Sequence, residues 1–264
     1  MDLFFRKTGS GDPIIILHGL YGSSDNWHSI GRALADDHEV FMIDLRNHGH
    51  SPHHPEHNYR VMCEDLTDFF TLHHLDQAIF IGHSMGGKTA LIFGMANPEK
   101  IKKMILVDIS PFQYDLDASG EAISHRHILQ GLLAIKPDAI SDRGEADKIL
   151  QNFISSLSIR QFLLKNLKRD PGGRFYWSIN LPVLAENLKG IFTGILREKE
   201  QGPLAIPFPL LFIRGENSSY ISEKDEGDIR QLFPWSQIVT IKGAGHWVHA
   251  EQPESFLDAV RRFI

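Results

Sequence analysis

A single cysteine, Cys63, stands in 264 residues. One thiol closes no intramolecular bridge, so a disulfide framework is excluded and a reducing, cytoplasmic setting is expected. No stretch approaches 18 apolar residues, so no transmembrane helix is expected. Runs of Lys and Arg never exceed two residues and the net charge is −6, which argues against a nucleic-acid binder led by phosphate contacts. Internal repeats and low-complexity tracts are missing as well. The opening segment, MDLFFRKTGSGDP, is too short and polar for a signal peptide and reaches a strand-like run almost at once. What is present is a globular composition, 42% hydrophobic and 23% charged. At this length it implies one large domain, or one domain with an insertion, that needs neither metal nor disulfide to fold. The unusual count is 15 histidines, which raises a metal hypothesis.

Short apolar runs alternate with amphipathic stretches. The runs 14–17 (IIIL), 40–45 (VFMIDL), 78–82 (AIFIG), 104–108 (MILVD), 209–213 (PLLFI) and 238–241 (IVTI) lack polar alternation, the mark of strands covered on both faces. Helices are expected at 59–72, 86–96, 222–233 and 253–264, the last with Pro253 at its start. The alternation predicts an α/β fold with a mostly parallel central sheet flanked by helices. About 100 residues between Asp108 and Pro209 break the rhythm. They offer helical pieces at 119–134, 144–156, 159–167 and 181–192 and no convincing strand. The expected division is a core of residues 1–111 and 201–264 and an inserted helical cap, or lid, of residues 112–200.

Gly82-His83-Ser84-Met85-Gly86 is a G-x-S-x-G sequence set between a predicted strand and a predicted helix. That setting is a nucleophile elbow: the serine sits at positive φ so that Oγ projects, and side chains at 82 and 86 would collide with helix and strand. A serine nucleophile needs a base and an orienting acid. His246, in Gly245-His246-Trp247 after the last strand, is the base candidate. For the acid, the loop after the penultimate strand reads Gly215-Glu216-Asn217-Ser218, with serine where an aspartate is usual. Asp108, at the end of the strand before the insertion, is preferred, with Glu216 the alternative. Backbone N–H groups of Met85 and Leu20 are the expected oxyanion donors.

These stretches together resemble α/β-hydrolases of the YbfF-type esterase and abhydrolase-domain-eleven group. The matching segments are HGLYGSSDNW (18–27), DLRNHGHSPH (44–53), GHSMGGKTA (82–90), VDISP (107–111), GRFYWSINL (173–181) and GAGHWVHAEQP (243–253). The likeness spans essentially the whole chain. It implies an α/β-hydrolase fold, hydrolysis of carboxylic esters and acyl thioesters including acyl-CoA, no cofactor, and an acid at Asp108.

Other residues have candidate roles in binding substrate or bracing the site: His18, Arg46, Asn47, His83, Trp177 and Trp247. Lys88 is expected to be structural. Aromatics of the insertion, among them Phe112, Tyr114, Phe153, Phe162, Phe175 and Phe192, are candidates for an acyl pocket, most of them as ordinary core. His48, His50 and His53 read H-x-H-x-x-H, but Pro52 stands where a dinuclear metal site needs aspartate, so a solvated loop is expected and metal: none. The remaining histidines are expected to be largely solvated. The expected partner is a small acyl ester or thioester. Perhydrolysis or C–C bond hydrolysis, using the same three side chains, is the competing chemistry, and a catalytically silent binding protein the remote one.

Overall fold

Runs 14–17, 40–43, 79–81 and 104–107 have successive side chains that point to opposite faces of one sheet, and both faces are covered. The computed structural model describes residues 1–112, 120–192 and 203–264. Its first part holds β1 (Phe5–Thr8), β2 (Asp12–Leu17), α1 (His28–Leu34), β3 (His38–Ile43), α2 (Tyr59–Leu72), β4 (Ala78–His83), α3 (Met85–Ala96) and β5 (Ile101–Val107). Then come α4 (Gly120–Ala134), α5 (Arg143–Leu150), α6 (Leu157–Leu164), β6 (Leu167–Arg169), β7 (Phe175–Trp177) and α7 (Leu181–Phe192). The chain closes with β8 (Leu210–Gly215), α8 (Glu223–Leu232), β9 (Gln237–Ile241), α9 (Val248–Glu251) and α10 (Pro253–Phe263).

The sheet has seven strands in the order β1-β3-β2-β4-β5-β8-β9, all parallel except the edge strand β1. On one face Ile15, Leu17, Phe41, Ile43, Phe80 and Leu106 pack with Leu66, Phe69, Leu91 and Phe93 of α2 and α3. On the other, Ile14, Ile16, Val40, Ile79, Ile81 and Ile105 pack with Ile30 and Leu34 of α1 and Phe256 and Val260 of α10. Each such side chain, when buried, stabilises the fold by roughly 1.5–3 kcal/mol, which is why continuous apolar runs fold as interior strands.

Two expectations are corrected. The interval between β5 and β8 is not purely helical: β6 and β7 form an antiparallel hairpin with Leu167 opposite Trp177. Strands of three residues are too short to give a sequence period. The remaining histidines are exposed or half-buried as expected with three exceptions, His57, His125 and His249, and His48 is buried although a solvated loop is expected around it. Tyr114 and the expected boundary at 200/201 lie outside the described residues. Among the described residues no helix is long and apolar enough to cross a membrane.

Candidate active site

The strand order reverses direction between β2 and β4, so the loops leaving their carboxyl ends part there and leave a crevice, the usual ligand position in an open α/β sheet. Ser84 stands at that edge, between β4 and α3, with φ 50° and ψ −118°. The left-handed φ is held from both sides: Ser84 N–H donates to the carbonyl of Val107 (3.0 Å) and the Ser84 carbonyl accepts from Lys88 N–H (3.0 Å). The glycines of the motif are required by contact. A Cβ on Gly82 would lie 2.6 Å from the Gly87 Cα, and one on Gly86 would lie 2.5 Å from the carbonyl oxygens of Leu17 and His18. Helix α3 thus starts against the end of β2, its free N–H groups and positive dipole end beside Ser84.

Asp108 follows β5, next to β4 in the sheet, and also has φ 50°. Its carboxylate is fully buried. Oδ2 accepts from His246 Nδ1–H at 2.8 Å and also from the hydroxyl of Ser218; Oδ1 accepts from Gly215 N–H at 3.1 Å. Burial pushes the Asp108 carboxyl up to about 7, while Ser218, Gly215 and the nearby Arg214 charge pull it back down. Glu216, the alternative acid, is exposed, and its carboxylate accepts instead from Gly243 N–H (2.9 Å). The position where an aspartate is usual is therefore occupied by a hydroxyl that donates to Asp108, at the end of the neighbouring strand.

His246 is 12% exposed, and its loop is pinned from below: His83 Nε2–H donates to the His246 carbonyl at 2.9 Å. A Cβ on Gly19 would lie 2.6 Å from His83 Nδ1 and 3.1 Å from Ser84 Cβ, so the loop carrying Leu20 passes directly over the serine. Leu20, Met85, Lys88, Ile109, His125 and Tyr220 line a cavity at Ser84, together with Tyr59, Ile191 and Phe192. Its free space is about 20 Å³, room for a water molecule and less than any acyl group requires. Burial pulls the Lys88 ammonium in this lining down to about 7.

With this geometry in view, the comparisons are direct. The profile of the alpha/beta hydrolase fold family matches residues 12–142. The sn-1-specific diacylglycerol lipase ABHD11 of Mus musculus is 38% identical over 261 residues, 95% of this chain and 80% of its own. The Esterase YbfF of Escherichia coli is 36% identical, covering 98% of this chain and 95% of its own. A solved structure, a marine microorganism esterase, superposes with a TM-score of 0.94 at 44% identity, covering 100% of this chain and 99% of that one. The chain belongs to the α/β-hydrolases, in the YbfF and ABHD11 group.

The other candidates of this α/β-hydrolase sort by contact. Arg46 is buried and bidentate to Asp65, Nε to Oδ2 at 2.6 Å and Nη2 to Oδ1 at 2.8 Å, with further donation to the carbonyls of Glu56 and Val61. All of these partners brace the loop after β3. Asn47, at φ 67°, joins that loop to the inserted segment: its Oδ1 accepts from Asn180 Nδ2 (3.0 Å) and its carbonyl from Asn180 N–H (3.0 Å). His18 donates from Nδ1 to Gly19 O (2.8 Å) and accepts at Nε2 from Leu45 N–H (3.0 Å); burial pulls it down to about 4. His48 is buried and donates from Nδ1 to Arg46 O, whereas His50 and His53 are exposed. Among the described residues no group of three His, Cys, Asp or Glu side chains is gathered as metal ligands.

Trp247 meets Phe162 of α6 at 5.2 Å between ring centroids and is not among the residues lining the cavity at Ser84. Trp177 packs against the core from β7, its indole N–H buried with no hydrogen-bond partner among the described residues. Of the insertion's aromatics only Phe192 reaches the described cavity lining. Phe112 and Phe175 are buried in the core, and Phe153 is partly exposed. Sequence reasoning missed Ser218, Tyr220 and His125. Ser218 was legible as a departure from a pattern, though not as a donor; the other two carry no local signal.

Proposed function

We propose that this protein is a serine hydrolase that cleaves carboxylic esters and also acyl thioesters, acyl-CoA among them, through an acyl-enzyme on Ser84. One observation carries the reading: the 2.8 Å contact of His246 Nδ1 with the buried Asp108, on the strand beside a serine held at positive φ. The names of the relatives, an esterase and a diacylglycerol lipase, support the ester class.

In this cycle His246 takes the Ser84 proton as Oγ attacks the acyl carbonyl. Asp108 holds the Nδ1–H tautomer and stabilises the imidazolium. The oxyanion accepts from the backbone N–H groups of Leu20 and Met85, fixed donors in a site that largely excludes water. The imidazolium then protonates the leaving alkoxide or thiolate. Water, deprotonated by His246, attacks the acyl-enzyme and returns the proton balance to its starting point. Residues 112–200 act as a cap, a reading supported by His125, Ile191 and Phe192 in the lining of the cavity at Ser84.

The test is labelling with a fluorophosphonate probe, followed by turnover of nitrophenyl and CoA esters of increasing acyl length. Labelling that disappears in Ser84→Ala is expected. An unlabelled parent, or labelling that persists in that variant, overturns the reading. Turnover of nitrophenyl esters without CoA esters removes the thioester part alone.

A further inference from the structure

Resting on the serine-hydrolase reading above, we propose that Tyr220 is a positioning residue for His246, and that His125 from the inserted segment holds Tyr220 in place. Seating α4 over the cavity and aligning the base are then one event.

The Tyr220 ring lies flat on the His246 imidazole, 3.9 Å between centroids and 17° between planes. The Asp108 hydrogen bond fixes one nitrogen of His246 and does not by itself set the tilt of the ring about that bond. A coplanar aromatic wall removes the tilt. The other rings in contact offer less: His83 is 4.6 Å away at 44°, and Trp247 meets the imidazole nearly edge-on at 5.5 Å. Among the described residues, the titratable side chains that face His246 are Asp108, His83 and Tyr220, with the buried His125 and His249 near enough to feel its charge.

Tyr220 is itself buried, and its hydroxyl is 2.8 Å from His125 Nε2. The other ring nitrogen of His125 reaches the Tyr21 hydroxyl at 3.4 Å, and the two rings stack at 5.6 Å. A neutral imidazole has one donor and one acceptor nitrogen, which suits a bridge between two phenols. Burial keeps His125 neutral, pulled down to about 3. Tyr21 follows Leu20, so a single imidazole on α4 ties the loop of an expected oxyanion donor to the residue that backs the base. His125 and Tyr220 both line the Ser84 cavity.

The experiment is steady-state turnover of 4-nitrophenyl butyrate across pH by the full chain. It starts once fluorophosphonate labelling of the parent, and its loss in Ser84→Ala, has established the hydrolase reading independently. Tyr220→Leu is expected to lower kcat by about ten- to a hundredfold with KM within about threefold, and to move the acidic midpoint of kcat/KM. Tyr220→Phe, which keeps the ring, is expected to recover most of that loss. His125→Leu is expected to lower kcat by about three- to tenfold beside Tyr220 and by clearly less in the Tyr220→Phe background, because the two changes share the Tyr220 hydrogen bond and only the longer contact to Tyr21 is left to lose. A parent that labels while Tyr220→Leu keeps kcat within about twofold, or loses only KM, overturns the inference and leaves the hydrolase reading standing. Equal effects of His125→Leu in the two backgrounds overturn the clamp. If Tyr220→Leu does not fold, the cycle of Tyr220→Phe and His125→Leu decides alone.

Discussion

Ser218 donates its hydroxyl proton to Oδ2 of Asp108, the oxygen that also accepts from His246 Nδ1. A charge-assisted hydrogen bond of this kind contributes roughly 1.5–3 kcal/mol to the ionised carboxylate. Ser218→Ala is therefore expected to lower kcat about tenfold and to shift the acidic limb of the rate profile upward. Because both side chains meet on one oxygen, residue 218 is also within reach of the base. Asp108→Asn alone is expected to cost on the order of 10³–10⁴ in turnover, through the wrong tautomer of His246. Adding Ser218→Asp to it is expected to restore at least about tenfold, measured as kcat for a nitrophenyl ester. No gain from the second change would show that the acid's place cannot be exchanged across the two loops.

The same carboxylate makes a stability prediction. Burial raises Asp108 from the ordinary 3.8 to about 7. Between those values the folded protein holds a proton that the unfolded chain has released, so this group's contribution falls as pH rises from about 4 to 7 and stays lost above it. The full difference is bounded at about 4 kcal/mol. Asp108→Asn is thus expected to raise the thermal midpoint by about 5 °C at pH 8 and by little at pH 4. His18, His48 and His57 act oppositely: burial lowers them to about 4, 3 and 3, so the unfolded chain takes up protons first and their contribution is lost as pH falls below about 6.5. With these three groups and His125, lowered by burial to about 3, against one carboxyl, net stability is expected to drop steeply between about pH 6 and 4, read by thermal unfolding across that range. A flat midpoint over the interval would contradict the buried, neutral state of these rings.

Gly19 separates positioning from stability. Its missing Cβ leaves room for His83 Nδ1 and Ser84 Cβ, 2.6 and 3.1 Å from where a methyl would stand. Gly19→Ala is expected to push the Leu20 N–H out of line with the reacting carbonyl and lower kcat by about 10², with a change of only a few degrees in the thermal midpoint. A large loss of stability with little change in kcat would assign the glycine to packing instead.

Much of the architecture is legible in the chain because its central strands are covered on both faces. IIIL, AIFIG and MILVD have no polar alternation to confuse, and the elbow announces itself by glycines that contact demands. β1 is harder to read: an edge strand, partly exposed along its length, with a charged pair at Arg6 and Lys7. The hairpin of β6 and β7 is too short for any period. The candidates Ser84, Asp108 and His246 could be picked from strand ends, whereas the contacts around them could not. The bond of Ser218 to Asp108 spans 110 residues, and the contact of His125 with Tyr220 spans 95. Buried histidines mislead for a similar reason: a ring such as His57 looks solvated beside Pro55 and Glu56 until the loop after β3 folds back over it.

The acid's place on β5 bears on how chains of this kind diverge. Nucleophile and carboxylate stand at the ends of neighbouring strands, both upstream of the inserted helices and hairpin. Insertions or deletions in that segment leave the spacing of Ser84 and Asp108 untouched, whereas His246, after β9, reaches Asp108 from the C-terminal part of the chain. Changes between β5 and β8 are therefore expected to act on selectivity, and on His246 through His125 and Tyr220, while Ser84 and Asp108 keep their places on neighbouring strand ends.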